Sequence, residues 1–288
     1  MNTGSNAIKR ARWPVVAKAM LFILGCAVAS AVAAPFTRDL SVRWPEFVVG
    51  AIGSLWALGL TFVFVRWDGV RLDDVGAKPD RLSLARLVVG FLIGTGMVAL
   101  WMSISMATGY VHWERAPENG AVIAAITLIA YLALASREEL AFHGYPLRRL
   151  GQSFGIGGAQ LIVALVFALE HVVGGWPWTR ALFGAGVGSL LFGMAAIATR
   201  GLAVPIGLHA AWNFGQSMMG LNGEPALWRT VVDNGQEQHI EHLRTISYVA
   251  VMGVATLAFW FWHRKTNLSA CRIEGDAPAA SPRHKTLD

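Results

Sequence analysis

The chain has 288 residues, of which 55% are hydrophobic and only 15% are charged. A soluble protein usually carries about a quarter charged residues, so this chain has too little polar surface to cover a soluble bundle. The net charge of +6 forms no basic stripe interleaved with aromatic residues, which argues against nucleic acid as a partner. Cys26 and Cys271 fall in an apolar run and in the polar tail, so we expect no disulfide.

Long apolar runs alternate with short polar segments along the chain. Each run is close to the length of about 20 residues that a helix needs to cross a bilayer. The sequence therefore predicts an all-α, polytopic integral membrane helix bundle of about eight transmembrane helices that enclose a polar cavity. The runs lie near 15–34, 47–65, 87–108, 120–142, 156–173, 181–199, 202–220 and 246–262.

The same pattern divides the chain into five segments. We expect a basic N-terminus at 1–14, N-terminal transmembrane helices at 15–117 and a core that carries the polar motifs at 118–220. A loop and the last transmembrane helix follow at 221–265, and 266–288 is expected to be a flexible tail. Ala31-Val32-Ala33 resembles a signal-peptide cleavage site, so removal of the first helix is an alternative.

The distribution of basic residues indicates how the helices cross the membrane. If the N-terminus lies inside and the runs alternate, most Lys and Arg fall in inside segments, as the positive-inside rule requires. The outside segments then hold only Arg38, Arg43, Arg115, Arg180, Arg229 and Arg244. Both termini are therefore predicted to be cytoplasmic. The short loops and Ala-rich composition favour a bacterial inner membrane.

The first polar motif is Glu138-Glu139-Leu140-Ala141-Phe142-His143, at the end of an apolar run. Charges placed against a membrane span are energetically unfavourable and usually functional. Neighbours on a helix point about 100° apart, so we expect that Glu138 and Glu139 do not both face one point. Glu139 and His143 are four residues apart and share a face. The alternative is that the apolar run simply ends here and that its charged residues are hydrated at the membrane–water interface.

Two further motifs follow on later apolar runs, Phe167-x-x-x-His171 and His209-x-x-x-Asn213. Taken alone, the first is also compatible with an interfacial histidine and the second with polar residues that hold helices together. Taken with the carboxylates, the set supplies Glu, His, His and Asn on three segments. These are the groups that activate water and stabilise an oxyanion.

The ordered set of three motifs resembles the CAAX-protease and bacteriocin-processing (CPBP/Abi) family of intramembrane proteases, which includes the type II CAAX prenyl endopeptidases. That family's pattern is Glu-Glu-x-x-x-Arg, Phe-x-x-x-His and His-x-x-x-Asn or Asp on three helices, and the resemblance covers about residues 118–215. His143 stands where the pattern has an arginine. By resemblance, Glu139 is a supporting partner, with His143 beneath it. A histidine holds this carboxylate less firmly than a bidentate arginine does.

The resemblance implies an intramembrane endopeptidase that hydrolyses a peptide bond of a peptide or membrane-associated protein. It leaves the choice between a metal-free and a zinc-dependent site open, and we favour the metal-free site, which requires no cofactor. Glu138 would be the general base that activates a water molecule, and His171 would help to hold that water. His209 and Asn213 would stabilise the oxyanion. In a zinc-dependent alternative, Glu138, His171 and His209 would bind Zn²⁺ with water in the fourth position.

The expected partners are the lipid bilayer and a peptide or protein substrate with a membrane-proximal segment. Two other classes of function remain open: a proton-coupled transporter and a non-catalytic membrane immunity or scaffold protein. The clustering of polar residues in one part of the chain disfavours a transporter built from two related halves. The presence of His143 in place of the family's arginine slightly favours the non-catalytic scaffold. His239-Ile240-Glu241-His242 is a weak look-alike of a metal site in the segment before the last run.

The depth of the motifs sets a condition on the fold. If the fourth helix stopped at His143, the fifth run would carry His171 roughly 23 Å from the inner face at 1.5 Å per residue, too far from Glu138. Either the fourth helix continues through Pro146 toward Leu150, with a kink at the proline, or the fifth begins outside the lipid. We also expect a water-filled active-site cavity that opens to the inside.

Overall fold

The computed structural model describes residues 3–37, 39–40, 43–116, 120–221 and 227–275. Its helices are α1 (Thr3–Ala33), α2 (Trp44–Asp68), α3 (Ser83–Met106), α4 (Gly120–Glu138), α5 (Tyr145–Val173), α6 (Trp178–Arg180), α7 (Val187–Thr199), α8 (Ala203–Met218) and α9 (Glu237–Gly275). A 3₁₀ helix, Ala34–Thr37, follows α1. Two π-helical turns, Glu139–Gly144 and Ala181–Gly186, precede α5 and α7.

In the described part of the chain, six helical stretches are long and apolar enough to cross a membrane. One of them, Gly120–Val173, is 54 residues long and contains the fourth and fifth predicted runs. The seventh predicted run becomes α8, which has 16 residues and falls short of the usual spanning length of about 20. The all-α polytopic bundle is confirmed, whereas the number of eight spans is not.

The fourth helix does not stop at His143. Its path continues through the π turn into α5. The backbone departs from helical geometry at Gly144, with φ −80° and ψ −112°, and again at Gly155, with φ 70° and ψ 172°. Pro146 lies in the first turn of α5, where a missing N–H is tolerated. The structure therefore follows the first of the two expected routes. Because the chain continues beyond His143 before it turns back at Gly155, Glu170 on α5 lies beside Arg137. Oε1 of Glu170 is 3.3 Å from Nη1 of Arg137.

Two buried apolar clusters flank the three motifs. The first joins α1, α2 and α5, and its large members include Phe22, Phe64, Phe142, Tyr145, Leu150 and Phe167. The second joins α3, α7, α8 and α9, and its large members include Trp101, Leu191, Phe192, Leu208, Trp212 and Met252. Because the motifs lie between these clusters, packing on both sides fixes their backbones.

Helix α8 packs against α3 at van der Waals distance because glycines remove side chains from the contact. A Cβ atom on Gly207 would lie 2.0 Å from the carbonyl oxygen of Leu87, and one on Gly90 would lie 2.1 Å from that of Val204. No real Cβ makes such contacts, so this crossing requires glycine at both positions. The crossing holds the His209 segment in place.

A two-stranded antiparallel sheet lies outside the helical pattern that the sequence predicted. β1 (Val111–Arg115) pairs with β2 (Trp228–Val232), and Val111 is opposite Val232. The C-terminal boundary also differs from expectation, because α9 continues to Gly275, past the predicted start of the tail at 266. The remaining predicted tail, 276–288, lies outside the described residues.

Candidate active site

A buried carboxylate at the start of the π turn joins two histidines. Oε2 of Glu139 accepts a hydrogen bond from Nδ1 of His143 over 2.7 Å, and Oε1 accepts one from Nδ1 of His209 over 2.9 Å. Glu139 and His143 are completely buried, and His209 is 5% exposed. An ionised carboxylate can only accept hydrogen bonds, so both rings carry a proton on Nδ1. Glu139 therefore orients both imidazoles.

The His209 ring also reaches the neighbouring carboxylate. Its Nε2 lies 3.5 Å from Oε2 of Glu138. The ring therefore lies between the two carboxylates, with Nδ1 toward Glu139 and Nε2 toward Glu138. A π-helical turn begins at Glu139. Phe192 stacks on the ring, with centroids 4.2 Å apart and planes at 14°.

Glu138 forms an ion pair with the residue before it. Nη2 of Arg137 lies 2.6 Å from Oε1 of Glu138, and Nη1 bonds to Glu170 on α5 and to Oγ of Ser30 on α1. Only 11% of the Arg137 side chain and 7% of the Glu138 side chain are exposed. One guanidinium thus serves two carboxylates and ties three helices together at the site.

His171 lies at the far end of α5, one turn after Phe167. Its Nδ1 donates to the carbonyl oxygen of Phe167 over 2.8 Å, which leaves Nε2 as the hydrogen-bond acceptor of the neutral ring. The ring packs against Phe167 at 4.6 Å and against Trp176 at 4.7 Å between centroids. These contacts orient the imidazole without occupying Nε2.

One cavity of about 970 Å³ is lined by residues of all three motifs. Glu138, His171, His209 and Asn213 are among its lining residues, and Asn213 is half-buried. The two supporting residues of the first motif, Glu139 and His143, do not line it and lie in the layer behind it. The structure therefore brings together the four groups for which the sequence predicts chemistry.

The cavity opens on the face opposite to the one expected. The lining residues from loops and helix ends are Arg43 and Glu46 at the start of α2, Trp176 and Arg180 around α6, Val232 in β2 and Glu237 at the start of α9. None comes from 69–82, 145–155 or 199–202, which form the opposite end of the bundle. The mouth thus lies among the segments assigned to the outside, so the expected inward opening and the predicted orientation of the termini do not agree with each other.

The donor set of the zinc alternative is Glu138, His171 and His209. Among the described residues, no group of three or more His, Cys, Asp or Glu side chains is placed to hold a metal ion. Nδ1 of His171 donates to a backbone carbonyl, an arrangement that is also usual for zinc-binding histidines, so it does not decide the question. Oε1 of Glu138 is paired with the Arg137 guanidinium, so this carboxylate as placed does not fit a zinc ion. His239 and His242, in the first turns of α9, are likewise not part of a metal-binding group in the described part of the chain.

Three polar residues of the site were missed by the sequence motifs: Arg137, Glu170 and Ser189. The first two adjoin the motifs, and a charged residue inside an apolar run was the signal that could have found them. Ser189 lies in the small-residue run of α7, and its Oγ is 3.0 Å from Nε2 of His143. Nothing in the local sequence distinguishes it from other small residues of a packed helix.

Comparison with known proteins supports the resemblance drawn from the motifs. Residues 119–215 match the family model described as "Type II CAAX prenyl endopeptidase Rce1-like". The matched stretch begins at α4, ends in α8 and contains all three motifs, so the predicted resemblance over about 118–215 is confirmed. No curated protein matches the chain.

Proposed function

The chain carries an Rce1-like CAAX-protease core at residues 119–215, and from this core we propose that it is an intramembrane endopeptidase in which Glu138 activates water. The observation that carries the proposal is the shared cavity. Three motifs that are distant in sequence contribute a carboxylate, two imidazoles and an amide to the lining of one cavity of about 970 Å³. Hydrolysis of an amide needs a base, a water molecule and donors for an oxyanion, and these groups supply them.

Water activation is assigned to Glu138 and His171. Oε1 of Glu138 is held by Arg137, so Oε2 is the oxygen that takes the proton from water. Nε2 of His171 accepts the second hydrogen bond of that water, because Nδ1 already donates to the Phe167 carbonyl. The hydroxide that forms attacks the scissile carbonyl carbon of the substrate.

Stabilisation of the tetrahedral intermediate is assigned to His209 and Asn213. The side-chain amide of Asn213 donates to the oxyanion, and Nε2 of His209 donates when the ring is an imidazolium. Glu139 accepts from Nδ1 at 2.9 Å and so keeps Nε2 turned toward Glu138 and the cavity. Glu138 then returns its proton to the leaving amine, and the C–N bond breaks. All protons are accounted for without a cofactor.

We propose a metal-free reaction in place of the zinc-dependent alternative. The support is the ion pair between Arg137 and Glu138, because Nη2 lies 2.6 Å from Oε1 and occupies an oxygen that a zinc ion would need. Chelators are then expected to leave activity unchanged.

We also propose that both termini are cytoplasmic and that the protein resides in a bacterial inner membrane. The support is the excess of basic residues at the face of the bundle remote from the cavity mouth. In this orientation the mouth, with Arg43, Glu46 and Arg180, faces away from the cytoplasm. The substrate is then a peptide or membrane-associated protein whose membrane-proximal segment enters from the outer side.

The proposal is tested with detergent-purified protein and a peptide library, with fragments identified by mass spectrometry. Glu138→Gln should abolish cleavage and leave the protein folded. Glu46→Gln is the matched control, because Glu46 is a second carboxylate of the same cavity, at its mouth. Equal cleavage by wild type and Glu138→Gln would overturn the assignment, and so would a complete loss in Glu46→Gln with retention in Glu138→Gln.

A further inference from the structure

A polar contact from α7 reaches the layer behind the cavity. Ser189 is completely buried, and its Oγ lies 3.0 Å from Nε2 of His143. His143 is in turn bound through Nδ1 to Glu139, and Glu139 to Nδ1 of His209. A continuous chain of hydrogen bonds therefore runs from α7 through the π turn to the ring that faces the substrate cavity.

The direction of each hydrogen bond follows from the chemistry of the groups. Glu139 accepts from Nδ1 of both histidines, so Nε2 of His143 is left to be satisfied by another group. In the described part of the chain, Ser189 is the partner that meets it. A hydroxyl donates to a neutral ring and accepts from an imidazolium, so Ser189 satisfies His143 in either protonation state.

The contact explains how a histidine works at a position where the motif has an arginine. An arginine is permanently charged and binds a carboxylate through two parallel N–H donors, so it needs no third group to orient it. A histidine offers Glu139 one donor, and its ring can rotate unless the second nitrogen is held. Gly193, one turn after Ser189, allows α7 to come close, since a Cβ there would lie 3.0 Å from Cδ2 of His143.

Ser189, His143 and Glu139 are connected in the order of a nucleophilic triad, but they are not one. A nucleophile must reach the substrate carbonyl, and neither Ser189 nor His143 lines the cavity. All three residues are completely buried. Ser189 can therefore act only through the groups that it holds.

We propose that Ser189 is a positioning residue that, together with His143, replaces the arginine of the motif and sets the orientation of His209 through Glu139. This inference rests on the proposed function, because His209 matters for catalysis only if the cavity hydrolyses peptides. Without the hydroxyl, the His143 ring should lose its fixed orientation. The Glu139 carboxylate and the His209 ring, which are bound to it in turn, should then also be less well oriented, so that Nε2 of His209 is aimed less accurately at the oxyanion. The expected effect is a fall in kcat of about tenfold with little change in KM. A loss of this size is typical when a residue that orients a functional side chain through a hydrogen bond is replaced.

The test uses Ser189→Cys in the full-length protein, which replaces the hydroxyl by a somewhat larger thiol that forms weaker hydrogen bonds. His143→Arg and the double variant His143→Arg/Ser189→Cys complete a double-mutant cycle. Ser189→Cys should lower kcat about tenfold in the wild-type background and change it less than twofold when His143 is replaced by arginine. Equal losses in both backgrounds, or no loss in either, would overturn the proposal. If Ser189→Cys does not fold, Ser189→Ala takes its place in the cycle.

A spectroscopic measurement separates this proposal from the proposed function. Ring ¹⁵N shifts of His143 and His209, assigned with single His→Gln variants, report which nitrogen is protonated. Both rings should be protonated on Nδ1 in the wild type, and both sets of shifts should move in Ser189→Cys. A His209 signal unchanged by Ser189→Cys would overturn the positioning role even if the protein cleaves peptides. Moved signals in a protein that cleaves nothing would support the hydrogen-bond chain and contradict the protease assignment.

Discussion

Arg137 and Glu138 are neighbours in the sequence, and their side chains form a buried ion pair with 2.6 Å between Nη2 and Oε1. The same guanidinium reaches Glu170 on α5 and Ser30 on α1. A proposed catalytic base is therefore also part of a structural network. Side chains adjacent on a helix rarely pair in this way, and the π turn that follows is where the backbone departs from regular helical geometry.

Removal of the arginine should destabilise the fold. Arg137→Ala leaves Glu138 and Glu170 without their cation, and breaking a buried ion pair typically costs about 3–5 kcal/mol. Thermal unfolding in detergent would show a marked fall in Tm. Lys78→Ala is the matched control, because the Lys78–Asp73 pair is about half exposed and such pairs contribute about 0–1 kcal/mol. Similar Tm values for the two variants would contradict the network.

Replacement of the proposed amide donor should affect kcat more than stability. Asn213→Ala removes one donor to the oxyanion, which typically lowers kcat by about 10²- to 10³-fold. Gln216→Ala is the control, because Gln216 lies one turn further along α8 and lines the same cavity. Steady-state kinetics on one cleaved peptide would compare them. A kcat for Asn213→Ala within threefold of the control would exclude the oxyanion role.

The α3–α8 crossing should not tolerate a methyl group. Gly207→Ala would place Cβ against the Leu87 carbonyl, and overpacking of this kind typically costs about 1–3 kcal/mol. Gly96→Ala, on α3, meets nothing within 4 Å and should be neutral or stabilising. Tm and activity are the measurements. Because α8 carries His209, activity should fall together with stability in Gly207→Ala, and a fully active, equally stable variant would argue against the crossing.

The membrane orientation makes a labelling prediction. In a background with Cys26→Ala and Cys271→Ser, a single cysteine is introduced by Gln238→Cys near the cavity mouth or by Lys78→Cys at the opposite end. A membrane-impermeant maleimide added to intact cells should label Gln238→Cys directly and Lys78→Cys only after the membrane is permeabilised. The reverse pattern would place the mouth in the cytoplasm and the termini outside.

The sequence was sufficient to predict the helical membrane bundle and four polar residues that line the cavity. Charged and polar groups inside apolar runs are rare enough that Glu138, His171, His209 and Asn213 stood out. The spacing of four between Glu139 and His143 predicted that they share a helical face, and their side chains do meet at 2.7 Å. These features depend on local periodicity, which a sequence displays directly.

Other features depend on contacts between distant segments and could not be predicted. The π turn at Glu139 and the contact of His209 with both carboxylates are two such features, since local periodicity reports neither of them. Ser189 reaches His143 across 46 positions, and a serine in a small-residue run carries no signal of that contact. The β1–β2 pair joins segments more than a hundred residues apart, so neither strand has the adjacent partner and turn that identify a hairpin.

The central claim is metal-free hydrolysis by water that Glu138 activates, and isotope incorporation tests it most directly. A peptide cleaved by the purified protein is incubated in H₂¹⁸O with an excess of chelator, and the new C-terminal carboxyl group is examined by mass spectrometry. We predict one ¹⁸O atom per cleaved bond at an unchanged rate in the wild type, and no labelled product from Glu138→Gln. Labelled product from Glu138→Gln at the wild-type rate, or loss of all cleavage in the chelated wild type, would contradict the account.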